Sequence, residues 1–133
     1  MARPDATRMQ TFGPGDRIRR RSDFKTVQSR GKRVHTPHFI IIVLPRSERT
    51  QRLGITVTRK ISPSAVRRNR VKRLVREVYR KNRELFPRAD VVFIAKPGAP
   101  DLGYEEALHE VTRVRRSMAA AARAATAAPG EEG

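Results

Sequence analysis

One segment of the chain places an apolar face and a cationic face on a single predicted helix. At about 100° per helical residue, one side collects Val71, Leu74, Val75, Val78 and Tyr79. The opposite side carries Asn69, Arg73, Arg76, Arg80 and Arg83, flanked by Arg68, Arg70 and Lys72. Ser62 is the predicted cap and Pro63 suits the first helical position, so the pattern predicts a helix from about residue 63 to 83. One face is expected to pack against a core and the other to meet a polyanion.

The charge around this helix is unbalanced. Residues 24–76 contain 15 lysines and arginines but one carboxylate, Glu48, so we expect these cations to have few intramolecular partners. Like charges three or four residues apart on a helix repel by a few tenths of a kcal/mol per pair. The whole chain carries a net charge of +17, which indicates a nucleic acid or an anionic membrane surface as the partner.

Composition narrows the class of protein. A chain of 133 residues with 38% hydrophobic residues has material for one modest core, and thus for a single domain. The longest apolar run, residues 39–44, is far shorter than the ~18 residues of a spanning helix. The absence of cysteine excludes disulfides, and no apolar stretch follows Arg3 and Arg8 as in a secretory signal. We therefore expect a cytoplasmic protein without a membrane partner.

The remaining periodicities predict a small α+β sandwich with helices on a mixed sheet. A short helix is expected from Ser22 to Arg30, closed by Gly31, and a last helix over residues 104–122. Strands are predicted at 38–44, 53–58 and 91–95, with residues 34–36 either part of the first strand or a separate edge. The order is helix-strand-strand(-strand)-helix-strand-helix. Residues 1–16 are expected to form a flexible leader and residues 119–133 an alanine-rich flexible tail, which leaves 17–118 as the single domain.

Two segments together resemble the bacterial ribonuclease P protein subunit. They are the strand-like stretch 52–60, Arg-Leu-Gly-Ile-Thr-Val-Thr-Arg-Lys, and the basic stretch 68–77 that begins Arg-Asn-Arg-Val-Lys-Arg. Further matches are Arg17-Ile18, Asp23-Phe24, Gly31, Phe39 and the stretch 90–97. The resemblance covers roughly residues 17–116, and the ordered set is far more specific than an isolated Arg-Asn-Arg triplet.

The resemblance implies a function as well as a fold. Ribonuclease P is a ribonucleoprotein that removes the 5′ leader of precursor tRNA, and its RNA subunit carries out the hydrolysis with bound Mg²⁺. The protein would then be an accessory subunit of an endoribonuclease, with no catalytic residue and no cofactor motif of its own. Its partners would be the catalytic RNA and precursor tRNA, with no protein partner evident. The family fold includes a left-handed βαβ crossover, whereas right-handed crossovers are the general rule.

The resemblance also assigns roles to residues. The set expected to contact the catalytic RNA is Arg59, Lys60, Arg68, Asn69, Arg70, Lys72, Arg73 and Arg76. A cleft for the single-stranded leader would be formed by Phe24, Ile40, Ile42 and Thr56. Gln28 and Ile42 stand where some relatives have aromatic residues, which leaves Phe24 as the aromatic candidate for stacking on bases. Its alternative role is that of a core anchor for the first helix.

Three other functions need separate consideration. A nuclease centred on Glu105, Glu106 and Glu110 is disfavoured, since these carboxylates are expected to be solvated surface charges. The histidines, His35, His38 and His109, show no acid–base constellation with a neighbouring carboxylate. A ribosomal or other structural-RNA-binding protein would share the charge and size, and a DNA-binding module could use an arginine-rich helix. The ordered family match argues against a ribosomal or other structural-RNA-binding protein. The lack of helix-turn-helix spacing argues against a DNA-binding module.

Overall fold

The computed structural model describes residues 13–45 and 51–127, so Glu48 and the outer parts of both predicted flexible segments lie outside the described residues. Four α-helices and four strands form the domain, together with short 3-10 turns at Pro14–Asp16, Arg83–Leu85 and Ala99–Asp101. In chain order the elements are α1 (Arg21–Arg30), β1 (Lys32–His35), β2 (Phe39–Pro45), β3 (Arg52–Thr56), α2 (Ala65–Lys81), β4 (Ala89–Ala95), α3 (Tyr104–Arg113) and α4 (Arg115–Ala127).

The strands form one mixed sheet in the order β1-β2-β4-β3. β2 pairs antiparallel with both β1 and β4, while β3 and β4 are parallel and are connected through α2. The predicted α+β class and the strand–helix–strand crossover unit are therefore confirmed, and the left-handed sense of the crossover stays a prediction. The segment 34–36 was left ambiguous by the sequence, and the structure has a separate edge strand there, β1, over residues 32–35.

The sheet carries a different core on each face. Along β2, Ile41 and Val43 point into the larger core, which α2, α3 and α4 cover, whereas Ile42 belongs to a smaller core with Val27 of α1. The short α1 covers only part of its face. On the same face of the sheet as Ile42, Ile40 of β2, Ile94 of β4 and Thr56 of β3 lie side by side across the strands. All three side chains remain half-buried. An open trough beside α1 follows from this partial cover.

The long helix α2 forms as its periodicity predicts but begins later. Val71, Val75, Val78 and Tyr79 are buried, and Leu74 is half-buried. The cap is Ser64, whose side chain accepts a hydrogen bond from the Arg67 N–H at 3.3 Å, so the prediction of Ser62 as cap was wrong. Ser62 is buried, and its hydroxyl accepts instead from the Ser64 N–H at 3.3 Å. Ser62 and Ser64 are separated only by Pro63 and have the same capping propensity, so the conformation of the loop decides which of them caps the helix.

The other helices differ from the prediction at their ends. α1 begins at Arg21 without a side-chain cap, and Gly31 closes it in an extended conformation. Gly31 is needed for space, because a Cβ there would lie 2.6 Å from Cγ2 of Ile42. The predicted last helix is two helices that break at Val114, and α4 continues to Ala127, within the segment predicted as a tail. Met118 and Ala121 of α4 are buried in the larger core.

One buried carboxylate contradicts the sequence interpretation. Glu110 of α3 is only 8% exposed, and its two oxygens contact His38, at 3.1 Å from the backbone N–H and 2.5 Å from the ring Nδ1. The expectations that Glu110 is solvated and that no histidine has a neighbouring carboxylate were therefore wrong. The two residues are 72 positions apart, and only the packing of α3 beside the start of β2 brings them together. This contact joins α3 to the sheet.

Candidate nucleic-acid interface

The predicted RNA-contacting residues all remain accessible. Arg59 and Lys60 lie in the connection between β3 and α2 and are exposed. On α2 itself, Asn69, Arg70 and Arg73 are exposed, whereas Arg68, Lys72 and Arg76 are half-buried. We call these eight residues the α2 surface. Their exposure follows from the burial of the opposite side of α2 in the larger core.

Two arginines of the α2 surface also hold neighbouring loops. Nη1 of Arg68 donates to the carbonyl oxygens of Ser62 and Pro63, at 2.9 Å each. Nη1 of Arg70 donates to the Pro100 carbonyl at 2.5 Å. A guanidinium has five N–H donors, so each group keeps donors for a ligand after these contacts. These two side chains are thus both structural and available for binding.

The expectation that the cations of residues 24–76 lack intramolecular partners was wrong in part. Arg52 contacts Asp90 at 2.7 and 2.8 Å, and Arg67 contacts Asp101 at 2.6 Å. Both carboxylates lie later in the chain than residues 24–76, the segment to which the expectation applied. In the described part of the chain, no ion pair involves any member of the α2 surface. The structure therefore separates paired structural cations from those that are available to an external anion.

Electrostatic crowding is evident at Arg76. Burial lowers the pKa of Arg76, and repulsion from Arg17 and Arg73 lowers it further. Its guanidinium nevertheless remains charged near neutral pH, because the pKa of an arginine lies far above neutrality. An anion bound among these three side chains would relieve their repulsion.

A second feature lies on the opposite face of the sheet, beside α1. It is a groove of about 450 Å³ lined by Arg19, Arg21, Phe24, Lys25, Gln28 and Thr56. The ring of Phe24 lies against Gly54, where a Cβ would come within 2.6 Å of its Cε1. Phe24 thus forms a half-buried wall of the groove and also packs on the smaller core, as a core anchor would, while its stacking on bases stays a prediction.

The groove adds cations that the sequence analysis did not assign. Arg19, Arg21 and Lys25 line it, and the run of three arginines at 19–21 was the available signal. Thr56 lines it as expected, and Ile40 is half-buried on the same face. Ile42 is 0% exposed beneath α1, so its side chain supports the groove from within the smaller core.

Another cavity, of about 650 Å³, lies between α3 and the turn before β2. Its lining includes His35, His38, Glu106, His109 and Glu110. Despite these side chains, no group of three or more His, Asp or Glu residues in the described ranges is arranged to hold a metal ion. None of the helices in those ranges is long and apolar enough to cross a membrane.

A mixed sheet with a cationic helix over one face and a basic groove on the other is typical of small α+β proteins that bind a polyanion. The family described as ribonuclease P matches residues 12–119 of the chain. The chain belongs to this ribonuclease P protein family and is a subunit of ribonuclease P, an endoribonuclease of tRNA processing.

Individual relatives agree with this assignment. The ribonuclease P protein component of Geotalea uraniireducens is 41% identical over 103 residues, which cover 77% of this chain and 90% of the relative. That of Desulfovibrio desulfuricans is 45% identical over 108 residues, with 77% and 82% covered. Among solved structures, the Staphylococcus aureus RNase P protein aligns with a TM-score of 0.68 at 27% identity, over 76% of this chain and 93% of that one. The Thermotoga maritima RNase P protein, solved in complex with 1-(4-fluorophenyl)-2-thiourea, aligns with a TM-score of 0.67 at 28% identity, over 74% and 96%.

Proposed function

We propose that the protein binds the catalytic RNA of ribonuclease P through the α2 surface and the 5′ leader of precursor tRNA through the groove beside α1. The observation that carries this proposal is the accessibility of all eight residues of the α2 surface, none of which has an ion-pair partner in the described structure. An unpaired cationic surface of this size is typical of proteins that neutralise a phosphate backbone.

The residue types of the α2 surface suit a folded RNA. The arginine guanidinium is planar and presents paired donors to phosphate oxygens, and it also stacks on unpaired bases. Asn69 is exposed between Arg68 and Arg70, and its amide can donate to a phosphate or ribose and accept from a base edge. The surface therefore combines backbone binding with a small capacity to recognise unpaired bases.

The groove beside α1 suits a single strand. Arg19, Arg21 and Lys25 supply positive charge along it, and the half-buried ring of Phe24 supplies one stacking surface. Stacking of a base on an aromatic ring is worth ~1–3 kcal/mol and tolerates any base. Binding of the leader is therefore expected to depend weakly on its sequence.

In this proposal the division of labour follows the family resemblance. The RNA subunit carries out the phosphodiester hydrolysis with its bound Mg²⁺ in the cytoplasm, and we assign none of these ions to a side chain of this protein. The cations of the protein reduce the repulsion between two polyanions, the catalytic RNA and the substrate. The groove would orient the leader relative to the cleavage site.

The test is single-turnover cleavage of a precursor tRNA by its catalytic RNA at low Mg²⁺, with and without the protein. We expect stimulation by the wild-type protein and loss of stimulation in the double variant Arg68→Ala/Arg73→Ala. Because Arg68 also holds the loop before α2, the single variant Arg73→Ala and the charge-conserving Arg73→Lys belong in the same experiment.

Arg73→Lys is expected to keep part of the stimulation, because lysine retains the charge but lacks the paired donors and the stacking surface of the guanidinium. Absence of any stimulation by the wild type, while the RNA alone is active at high Mg²⁺, would overturn the proposal. Stimulation that survives in the double variant would instead exclude the α2 surface as the RNA-binding element.

A further inference from the structure

The order of the strands separates α2 from a second group of cations. β3 and β1 are the two edges of the sheet, and α2 contacts β3 while α4 contacts β1 and β2. Two intervening strands with a spacing of about 4.8 Å between neighbours keep the two edges apart. Cations carried by α4 and β1 therefore belong to a different part of the molecular surface from the α2 surface.

Several exposed cations lie at this second edge. They are Arg30 at the end of α1, Lys32 on β1, and Arg115, Arg116 and Arg123 on α4. We call these five residues the edge surface. Lys32 lies two residues before buried Val34 along β1 and so shares with it the face of the sheet that α4 covers.

The edge surface has little opposing charge. Within the described chain, no carboxylate lies on β1, β2 or α4, and no ion pair involves any of the five cations. Glu77 of α2 contacts Arg80 and Lys81, which are not members of the α2 surface. The edge surface, like the α2 surface, therefore has no ion-pair partner among the described residues.

The cationic side chains of α4 are spaced for contact with the regular phosphate backbone of a nucleic acid. Met118 and Ala121 face the larger core, whereas Arg116 and Arg123 lie seven residues apart on the outward side. At 1.5 Å per residue their Cα atoms are about 10 Å apart along the helix axis. The exposed residues between them, such as Ala120, are small, so the described side chains on this side of α4 leave room for a ligand.

The composition of the edge surface indicates what it binds. It contains arginine and lysine but no aromatic side chain and no amide that could read a base. Phosphate contacts without base contacts give binding that is independent of sequence, as is typical for double-helical RNA, whose deep major groove is closed to side chains. The α2 surface combines its cations with Asn69, and the groove combines its cations with Phe24. The edge surface differs from both because it contains cations alone.

We propose that the edge surface binds the phosphate backbone of a second, double-helical segment of the RNA partner. The protein would then bridge two RNA segments, with one at each edge of the sheet. This proposal rests on the proposed function only in taking the catalytic RNA as the partner of α2.

The experiment uses the full chain and the complete catalytic RNA. Four proteins are compared: wild type, Arg115→Gln/Arg116→Gln/Arg123→Gln, the corresponding triple lysine variant, and Arg68→Ala/Arg73→Ala. Affinity is measured over a series of salt concentrations, and the RNA segments protected by each protein are mapped by hydroxyl-radical cleavage. Thermal unfolding checks that each variant remains folded.

The glutamine variant is expected to reduce the steepness of log affinity against log salt by about 2 to 3, since each phosphate contact contributes ~0.7–0.9. It should lose protection of a helical RNA segment that Arg68→Ala/Arg73→Ala still protects, and the lysine variant should behave as wild type. An unchanged salt slope and footprint in a folded glutamine variant would overturn this inference. If the glutamine variant loses affinity for vesicles of anionic lipid while its RNA binding is unchanged, the inference is overturned in favour of a membrane surface as the ligand.

The two proposals fail in distinguishable ways. If the α2 variant loses RNA affinity and the glutamine variant does not, the edge surface alone is excluded. If neither variant changes RNA affinity, the proposed function itself is wrong. An equal loss in the glutamine and lysine variants would show that the arginines act through the packing of α4 rather than through charge, and would also overturn the inference.

Discussion

At the scale of single residues, the groove beside α1 depends on the absence of a side chain at position 54. The ring of Phe24 occupies the space above Gly54, and any Cβ there would come within 2.8 Å of two ring atoms. The ring belongs to a half-buried side chain, so it would swing rather than force the strand apart. Gly54 is therefore a positioning residue for the aromatic wall of the groove.

We expect Gly54→Ala to weaken binding of precursor tRNA with a leader several-fold while it changes the affinity for leaderless tRNA little. Loss of a stacked base accounts for ~1–3 kcal/mol, and the moderate overpacking should cost about 1 kcal/mol of stability. Affinities for the two substrates and urea denaturation measure both effects.

The control for this prediction is the double variant Gly54→Ala/Phe24→Ala. If Gly54 acts through Phe24, the double variant loses no more affinity for the leader than Phe24→Ala alone. An equal loss of affinity for substrates with and without a leader would show instead that Gly54→Ala disturbs the fold.

At the scale of an element, α2 joins two requirements in one helix. Its inward side supplies Val71, Val75, Val78 and Tyr79 to the larger core, so the helix cannot rotate without exposing them. The outward side then has a fixed orientation relative to the sheet. The cations along α2 therefore have fixed positions relative to one another and to the sheet, which a flexible basic segment would not provide.

We expect the α2 surface to contribute roughly −4 to −7 to the log–log slope of the affinity for the catalytic RNA against salt concentration, which corresponds to six to eight phosphate contacts. Arg73→Ala should make this slope shallower by about 0.7–0.9 without a change in stability, because Arg73 is exposed. Binding titrations at several salt concentrations give the slope.

Arg88→Ala is the matched variant for this experiment. Arg88 is exposed just before β4, and its replacement removes the same charge outside the α2 surface. We expect its slope to equal that of the wild type. A slope that depends only on net charge, with both variants equally shallow, would contradict a defined binding surface.

At the scale of the whole molecule, one ion cluster connects α1 with the strands β3 and β4. Arg52 of β3 contacts the buried Asp90 of β4 through two hydrogen bonds and Asp23 of α1 at 3.4 Å. The hydrogen bond with Asp90 is the main cause of a raised pKa of Arg52, which partial burial opposes. The cluster thereby holds α1, and with it the groove, against the parallel strand pair.

We expect Asp90→Ala to lower the free energy of unfolding by about 3 kcal/mol, because it leaves the Arg52 guanidinium without its main partner. This is the lower end of the usual range for a buried pair, since Arg52 keeps Asp23 and some contact with water. Urea denaturation measures the effect. A double variant with Arg52→Met should recover part of the loss, and a loss below ~1 kcal/mol in Asp90→Ala would show that the pair contributes little.

The sequence by itself determined the elements and the character of the surface. The periodicity of α2, the buried strands and the excess of cations depend on residues that are near one another in the chain, where helical and strand geometry decide which side chains share a face. The cationic side of α2 was predicted for this reason, whereas the choice of the eight residues of the α2 surface came from the family resemblance. The Arg-Asn-Arg helix after the strand at 52–56 also sufficed to indicate the family, which the comparisons then showed.

Only the tertiary structure decided the contacts between distant segments. The burial of Glu110 against His38, the pairing of Arg52 with Asp90, the place of Phe24 over Gly54 and the choice of Ser64 as cap all depend on how elements pack. Strand order likewise placed β1 and α4 away from α2. The physical reason is that local periodicity restricts which face of an element is apolar, whereas the partner of that face is set by burial and space summed over the whole chain.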